Sequence, residues 1–117
     1  MGIPASMRLR KPREFQEVRS LGHRIHCGPF IFQCHVGEGA SAPRLGVIAS
    51  RRVGNAVKRN YGKRLFRELF RQHAAELPPG SELVIVLRNH FDRHSFDDLE
   101  ARLVRACRTI CKNQAAR

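Results

Sequence analysis

The chain has 117 residues, a length that fits one domain able to bury a modest core without disulfide support. Apolar residues make up 42% of it, which excludes a disordered polycation, and 22 Lys and Arg against 10 acids give a net charge of +12 and a pI near 11.2. Such charge points to nucleic acid or an anionic membrane, but no run approaches ~20 apolar residues and no apolar signal core follows the N-terminus, so a cytoplasmic location is expected.

Residues 1–8 read as a loose basic tail, because Gly2 and Pro4 discourage regular structure. In LRKPREFQEVRSLGHR, Pro12 suits the first position of a helix and Gly22 its end, with Phe15, Val18 and Leu21 on the side that meets a sheet. From His23 the period changes to two. Phe30, Phe32, Cys34 and Val36 should face the core, and Ile31, Gln33 and His35 the opposite face, with Gly28-Pro29 separating a short preceding strand. Residues 37–43 form a turn-rich loop, and RLGVIAS, 44–50, is a short strand.

Asn55 is the expected N-cap of a helix running from about Ala56 to about His73, stopped by Leu77-Pro78-Pro79-Gly80. SELVIVLR, 81–88, is apolar on both faces and should lie centrally, parallel to the strand at 44–50. Residues 89–94 connect to a last helix that begins in the capping-box-like Ser95-Phe96-Asp97-Asp98, with Phe96, Leu99, Leu103, Ala106, Cys107 and Ile110 as its buried stripe. Residues 112–117 should fray. The order is α-β-β-β-α-β-α, an α/β (α+β) two-layer arrangement with a four-stranded mixed sheet, in one domain spanning 1–117.

Residues 51–71 carry Arg51, Arg52, Lys58, Arg59, Lys63, Arg64, Arg67 and Arg71 against one acid, Glu68. At ~100° per residue, Asn60, Lys63, Arg64, Arg67 and Arg71 share one helix face, while Tyr61, Leu65, Phe66 and Leu69 lie on the far side. Cations at this spacing repel one another by a few tenths of a kcal/mol per pair, which a merely solvated face does not require. Arginine's paired donors favour phosphate over an acidic protein; charge alone does not separate RNA from DNA. Cys27, Cys34, Cys107 and Cys111 lack CxxC spacing and read as packed thiols, the alternative being a composite metal site with His23, His26 or His35. His90 and His94 sit in a connector and make a poor metal pair. No serine or cysteine has a readable His–acid relay, so no catalytic residue is assigned.

VGNAVKRNYGKRLFRE resembles the RNR motif of the bacterial ribonuclease P protein component, LRKPREFQEV its first helix, and RLGVIASRR its third strand. The resemblance covers nearly the whole chain. It implies the protein subunit of a ribonucleoprotein that removes the 5′ leader from precursor tRNA. Hydrolysis would be carried out by the RNA subunit with Mg2+ bound mainly through RNA; no protein metal ligand is assigned, and no obligate protein partner is expected. It also implies a fold similar to the ribosomal protein S5 domain 2-like fold, with a left-handed β-α-β crossover against the general preference.

Carried onto this sequence, Arg51, Arg52, Lys58, Arg59, Asn60, Lys63, Arg64 and Arg67 would bind the RNA subunit. Phe15, Arg19, Gln33, His35 and Ser50 would bind the leader in a cleft between the first helix and the sheet. Arg19 and Gln33 stand where many relatives carry aromatics, so charge and hydrogen bonds should take a larger share of leader binding here. Two other readings compete: a structural, ribosomal-type RNA-binding protein without a role in tRNA processing, and a nuclease acting alone.

Overall fold

The computed structural model describes residues 3–115. Seven main elements follow one another: α1 (Pro12–Leu21), β1 (His23–His26), β2 (Phe30–Val36), β3 (Arg44–Ile48), α2 (Ala56–His73), β4 (Ser81–Leu87) and α3 (Phe96–Ala115). Each helix starts where the chain supplies a device for it. Pro12 opens α1, the Asn55 side chain accepts from the Lys58 N–H at 2.9 Å, and Ser95 Oγ accepts from the Asp98 N–H at 3.1 Å. The strands lie in the order β1-β2-β4-β3; β4 pairs antiparallel with β2 and parallel with β3, as its two apolar faces predict.

Period two sorts the sheet into two unlike faces. One carries Phe30, Phe32 and Cys34 from β2, Leu83, Ile85 and Leu87 from β4, and Leu45 from β3. Against it α2 places Phe66, Leu69 and Phe70, and α3 places Leu99, Leu103, Ala106, Cys107 and Ile110. Each fully buried side chain of this size contributes roughly 1.5–3 kcal/mol by leaving water. The rings of Phe30 and Phe66 meet edge-on at 4.8 Å. Gly62 lets α2 seat closely, since a Cβ there would lie 2.5 Å from Leu87 Cδ1.

The other face is only partly covered. Across the strands, Arg24, Gln33, Val84 and Gly46 form one row and His26, Ile31, Val86 and Ile48 the next. α1 lies on this face, with Val18, Val84 and Leu9 forming a small second core joined by Phe15, Ile48 and Val86. The Phe15 ring rests on Gly46, where a Cβ would come within 2.3 Å of it. Arg44 clamps the start of α1 to the sheet by pairing with Glu14 at 2.6 Å and with Glu82. Glu14 also accepts from the backbone N–H groups of Lys11 and Arg10, and these bonds, more than Arg44, hold its carboxyl down at about 2.

Four expectations need correction. Residues 3–9 are not a loose tail: Ile3 and Leu9 are buried, and the Leu9 N–H donates to Leu45 O at 2.9 Å, so the segment covers the open edge of β3. Residues 112–115 continue α3 instead of fraying, and 1, 2, 116 and 117 lie outside the described residues. Phe96 and Leu21 leave their expected buried stripes, at 39% and 64% exposure, because each sits at a helix end beyond the reach of the sheet. Tyr61 is 55% exposed, lying beside the Phe91 ring at 6.2 Å instead of entering the core.

Candidate RNA interface

Between β3 and α2 the chain makes one tight turn, Arg51–Val53, pinned by the buried Val53. Gly54 follows at φ 148°, a backbone region that side chains oppose, and the Lys58 chain lies over it. Lys58 then bonds Asn89 O at 2.9 Å and Asp92 at 3.2 Å. It therefore braces the start of α2 against the turn at 89–92. Arg71, on the face shared by Lys63, Arg64 and Arg67, is likewise held by a carboxylate, that of Glu68.

The remaining cations are uncommitted. Arg51, Arg52 and Arg64 are exposed, as is Asn60, while Arg59, Lys63 and Arg67 are half-buried along their stems. Among the described residues, no carboxylate comes within ion-pair distance of these six cations. Burial lowers the Arg67 pKa from its ordinary value, and the charge of nearby Arg8 pushes the same way. Arg8, anchored through Nε to Ile3 O at 3.2 Å, thus extends the basic surface from another segment. No periodic pattern foretells that placement, since the buried Ile3 and Leu9 on either side are isolated apolar positions. Val57 and Tyr61 add exposed apolar surface along the same helix.

On the open face, Arg19 and Gln33 share a groove of about 520 Å³ with Gln16, Ser20, Pro12 and Arg24. Gln33 is 3% exposed, and its Oε1 is buried with no hydrogen-bond partner among the described residues. Phe15 lies on the neighbouring β3 strand, over Gly46, and Ser50 is exposed just past the end of β3. His35 does not join them: it lines a separate depression with His23, Cys34 and the end of α3.

Burial pushes the Cys34 and Cys107 thiols up to about 12, which keeps them protonated and unreactive. Among the described residues, no three His, Cys, Asp or Glu side chains converge as a metal site. The acids beside α2, Glu68 and Asp92, are already paired with cations. This donor set does not fit a magnesium ion. Among the same residues, no helix is long and apolar enough to cross a membrane.

The architecture is that of a small basic α+β protein with a cation-lined helix and a half-open sheet face. A family model described as ribonuclease P matches residues 3–111. The ribonuclease P protein component of Brevibacillus brevis is 34% identical over 99 residues, covering 85% of this chain and 79% of that one. That of a Nocardioides species is 41% identical over 85 residues, covering 71% and 73%. Among solved structures, the RNase P protein of Thermotoga maritima matches with a TM-score of 0.77 at 28% identity, covering 88% of this chain and 96% of that one. A Staphylococcus aureus RNase P protein matches at 0.76 and 25% identity, covering 91% and 95%. The chain belongs to the bacterial ribonuclease P protein component family. It is thus part of the ribonucleoprotein endonuclease that processes precursor tRNA, which implies ribonuclease P RNA as its partner.

Proposed function

We propose that the protein serves that ribonucleoprotein through two surfaces, one for the RNA subunit and one for the 5′ leader. The observation that carries the first is the set of cations around α2 with no carboxylate partner among the described residues, Arg51, Arg52, Arg59, Lys63, Arg64 and Arg67, with Asn60 between them. Phosphates of the RNA subunit would take the place of those partners, and counterion release would supply much of the affinity. Arg8 and Tyr61 extend this surface, and Lys58 sets the helix start through Asp92.

The leader would lie on the open sheet face, where Phe15 offers a ring for stacking without base choice. Arg19 supplies charge, and the Gln33 amide lines the same groove, its Oε1 buried beneath it. Ser50 would meet the same strand of RNA near the end of β3, whereas His35, in its separate depression at the end of α1, lies outside this groove. Hydrolysis would belong to the RNA subunit and its Mg2+; this chain binds and orients.

Replacing Lys63, Arg64 and Arg67 together with Gln tests the first surface. The expected result is weaker binding to ribonuclease P RNA and a salt dependence reduced by ~0.7–0.9 in log–log slope for each phosphate no longer neutralised. An unchanged slope would place the RNA elsewhere.

A further inference from the structure

A second concentration of positive charge lies away from α2. From residue 101 onward the sequence holds Arg102, Arg105, Arg108, Lys112 and Arg117 and no acid. Lys112 is accounted for by its place in the last turn of α3, where a cation is favourable. Arg105 and Arg108 are not. Both are exposed, at a spacing that repels, and among the described residues neither has a carboxylate partner.

Arg105 also borders a groove of about 230 Å³ between α3 and the turn after β1, with Ile25, His26, Arg102 and Thr109 around it. Arg102 is fixed in place before any ligand arrives. Its Nε donates to Asp98 at 3.1 Å and its Nη1 to Cys27 O at 2.8 Å. Gly28, at φ 85°, leaves room for it, since a Cβ there would lie 2.8 Å from Nη1. Asp98 is shared with His94 at 2.6 Å, so Arg102 is oriented by a carboxylate that it does not hold alone. A fixed guanidinium, an exposed one and an exposed imidazole beside Ile25 and Ala106 suit a phosphodiester with its sugar against those two apolar side chains.

We propose that this groove, continued by Arg108, binds the backbone of a second RNA segment. The groove opens at the β1 edge of the sheet, whereas α2 follows β3 at the other edge, so a different stretch of backbone must reach it. The proposal rests on the protein being an RNA-binding subunit. The segment is contributed by ribonuclease P RNA or by precursor tRNA, and the two are separable by experiment.

The full-length Arg105→Gln/Arg108→Gln variant is compared with wild type and with Lys63→Gln/Arg64→Gln over a salt series. Binding of ribonuclease P RNA is measured first, then binding of precursor tRNA to each reconstituted holoenzyme. The expected result is weaker binding in one of the two assays, with a log–log slope lower by ~0.7–0.9 for each phosphate no longer neutralised. A change in the first assigns the groove to the RNA subunit; a change in the second alone assigns it to the substrate. If neither changes while the α2 variant lowers the slope, the groove proposal is overturned and the α2 surface stands. If the α2 variant also changes nothing, both fail.

Discussion

Replacing Gln33 with leucine removes a buried side-chain oxygen that has no hydrogen-bond partner among the described residues. Gln33 sits in the middle of the open face, paired in register with Arg24 on one side and Val84 on the other, at 3% exposure. An acceptor stripped of water and left unpaired costs ~1–3 kcal/mol, and leucine fills a similar volume without that penalty. The unfolding free energy should therefore rise by about 1–2 kcal/mol, each kcal/mol moving Tm up by ~4–8 °C for a domain near this size. If the amide instead finds its partner on the leader, the same substitution loses ~0.5–1.5 kcal/mol of binding, or about 2- to 12-fold in precursor affinity. Thermal unfolding of the free protein, with binding of precursor and mature tRNA by the holoenzyme, measures both effects. A destabilised variant, or an equal loss for mature tRNA, would refute the reasoning.

Phe15→Leu keeps most of the apolar packing on Gly46 and Val18 but removes the ring face. It should cost under ~1.5 kcal/mol of stability and weaken precursor binding by up to ~1–3 kcal/mol, with mature tRNA binding unaffected. His73 predicts a pH dependence of stability. Its two ring nitrogens face Glu100, at 2.8 Å, and Glu76, and only the imidazolium can donate to both. These carboxylates, Glu100 foremost, raise its pKa above the ordinary 6.5. The contribution is thus complete below pH 6.5 and lost as pH rises through the higher folded value. Urea unfolding on both sides of that window should show wild type losing stability relative to Glu100→Gln; a gap that stays constant contradicts the pairing.

Most of the element order is legible because local chemistry and long-range packing agree along this chain. Pro12, Asn55 and Ser95 mark their helices, and the alternation at Phe30, Phe32 and Cys34 correctly separates the two faces of β2. The packed N-terminal segment is not legible, since Ile3 and Leu9 are isolated apolar positions among residues that favour irregular chain. Phe91 is missed for a related reason: it is fully buried yet sits in a connector with no period to reveal it. The helical wheel finds the basic face of α2 but cannot show which cations are free. Lys58 is paired with a carboxylate 34 positions later in the sequence, Asp92, and Arg8 reaches Arg67 from another segment altogether. A residue's partner across space sets its availability, and spacing along one helix does not contain that information.

The claim that this protein assists an RNA catalyst is tested most directly by reconstitution. The purified chain is mixed with a bacterial ribonuclease P RNA and precursor tRNA at low magnesium, and removal of the 5′ leader is followed. The account predicts little cleavage by either component alone and leader removal when both are present. Cleavage no faster than with RNA alone would contradict the account, as would cleavage by the protein in the absence of RNA.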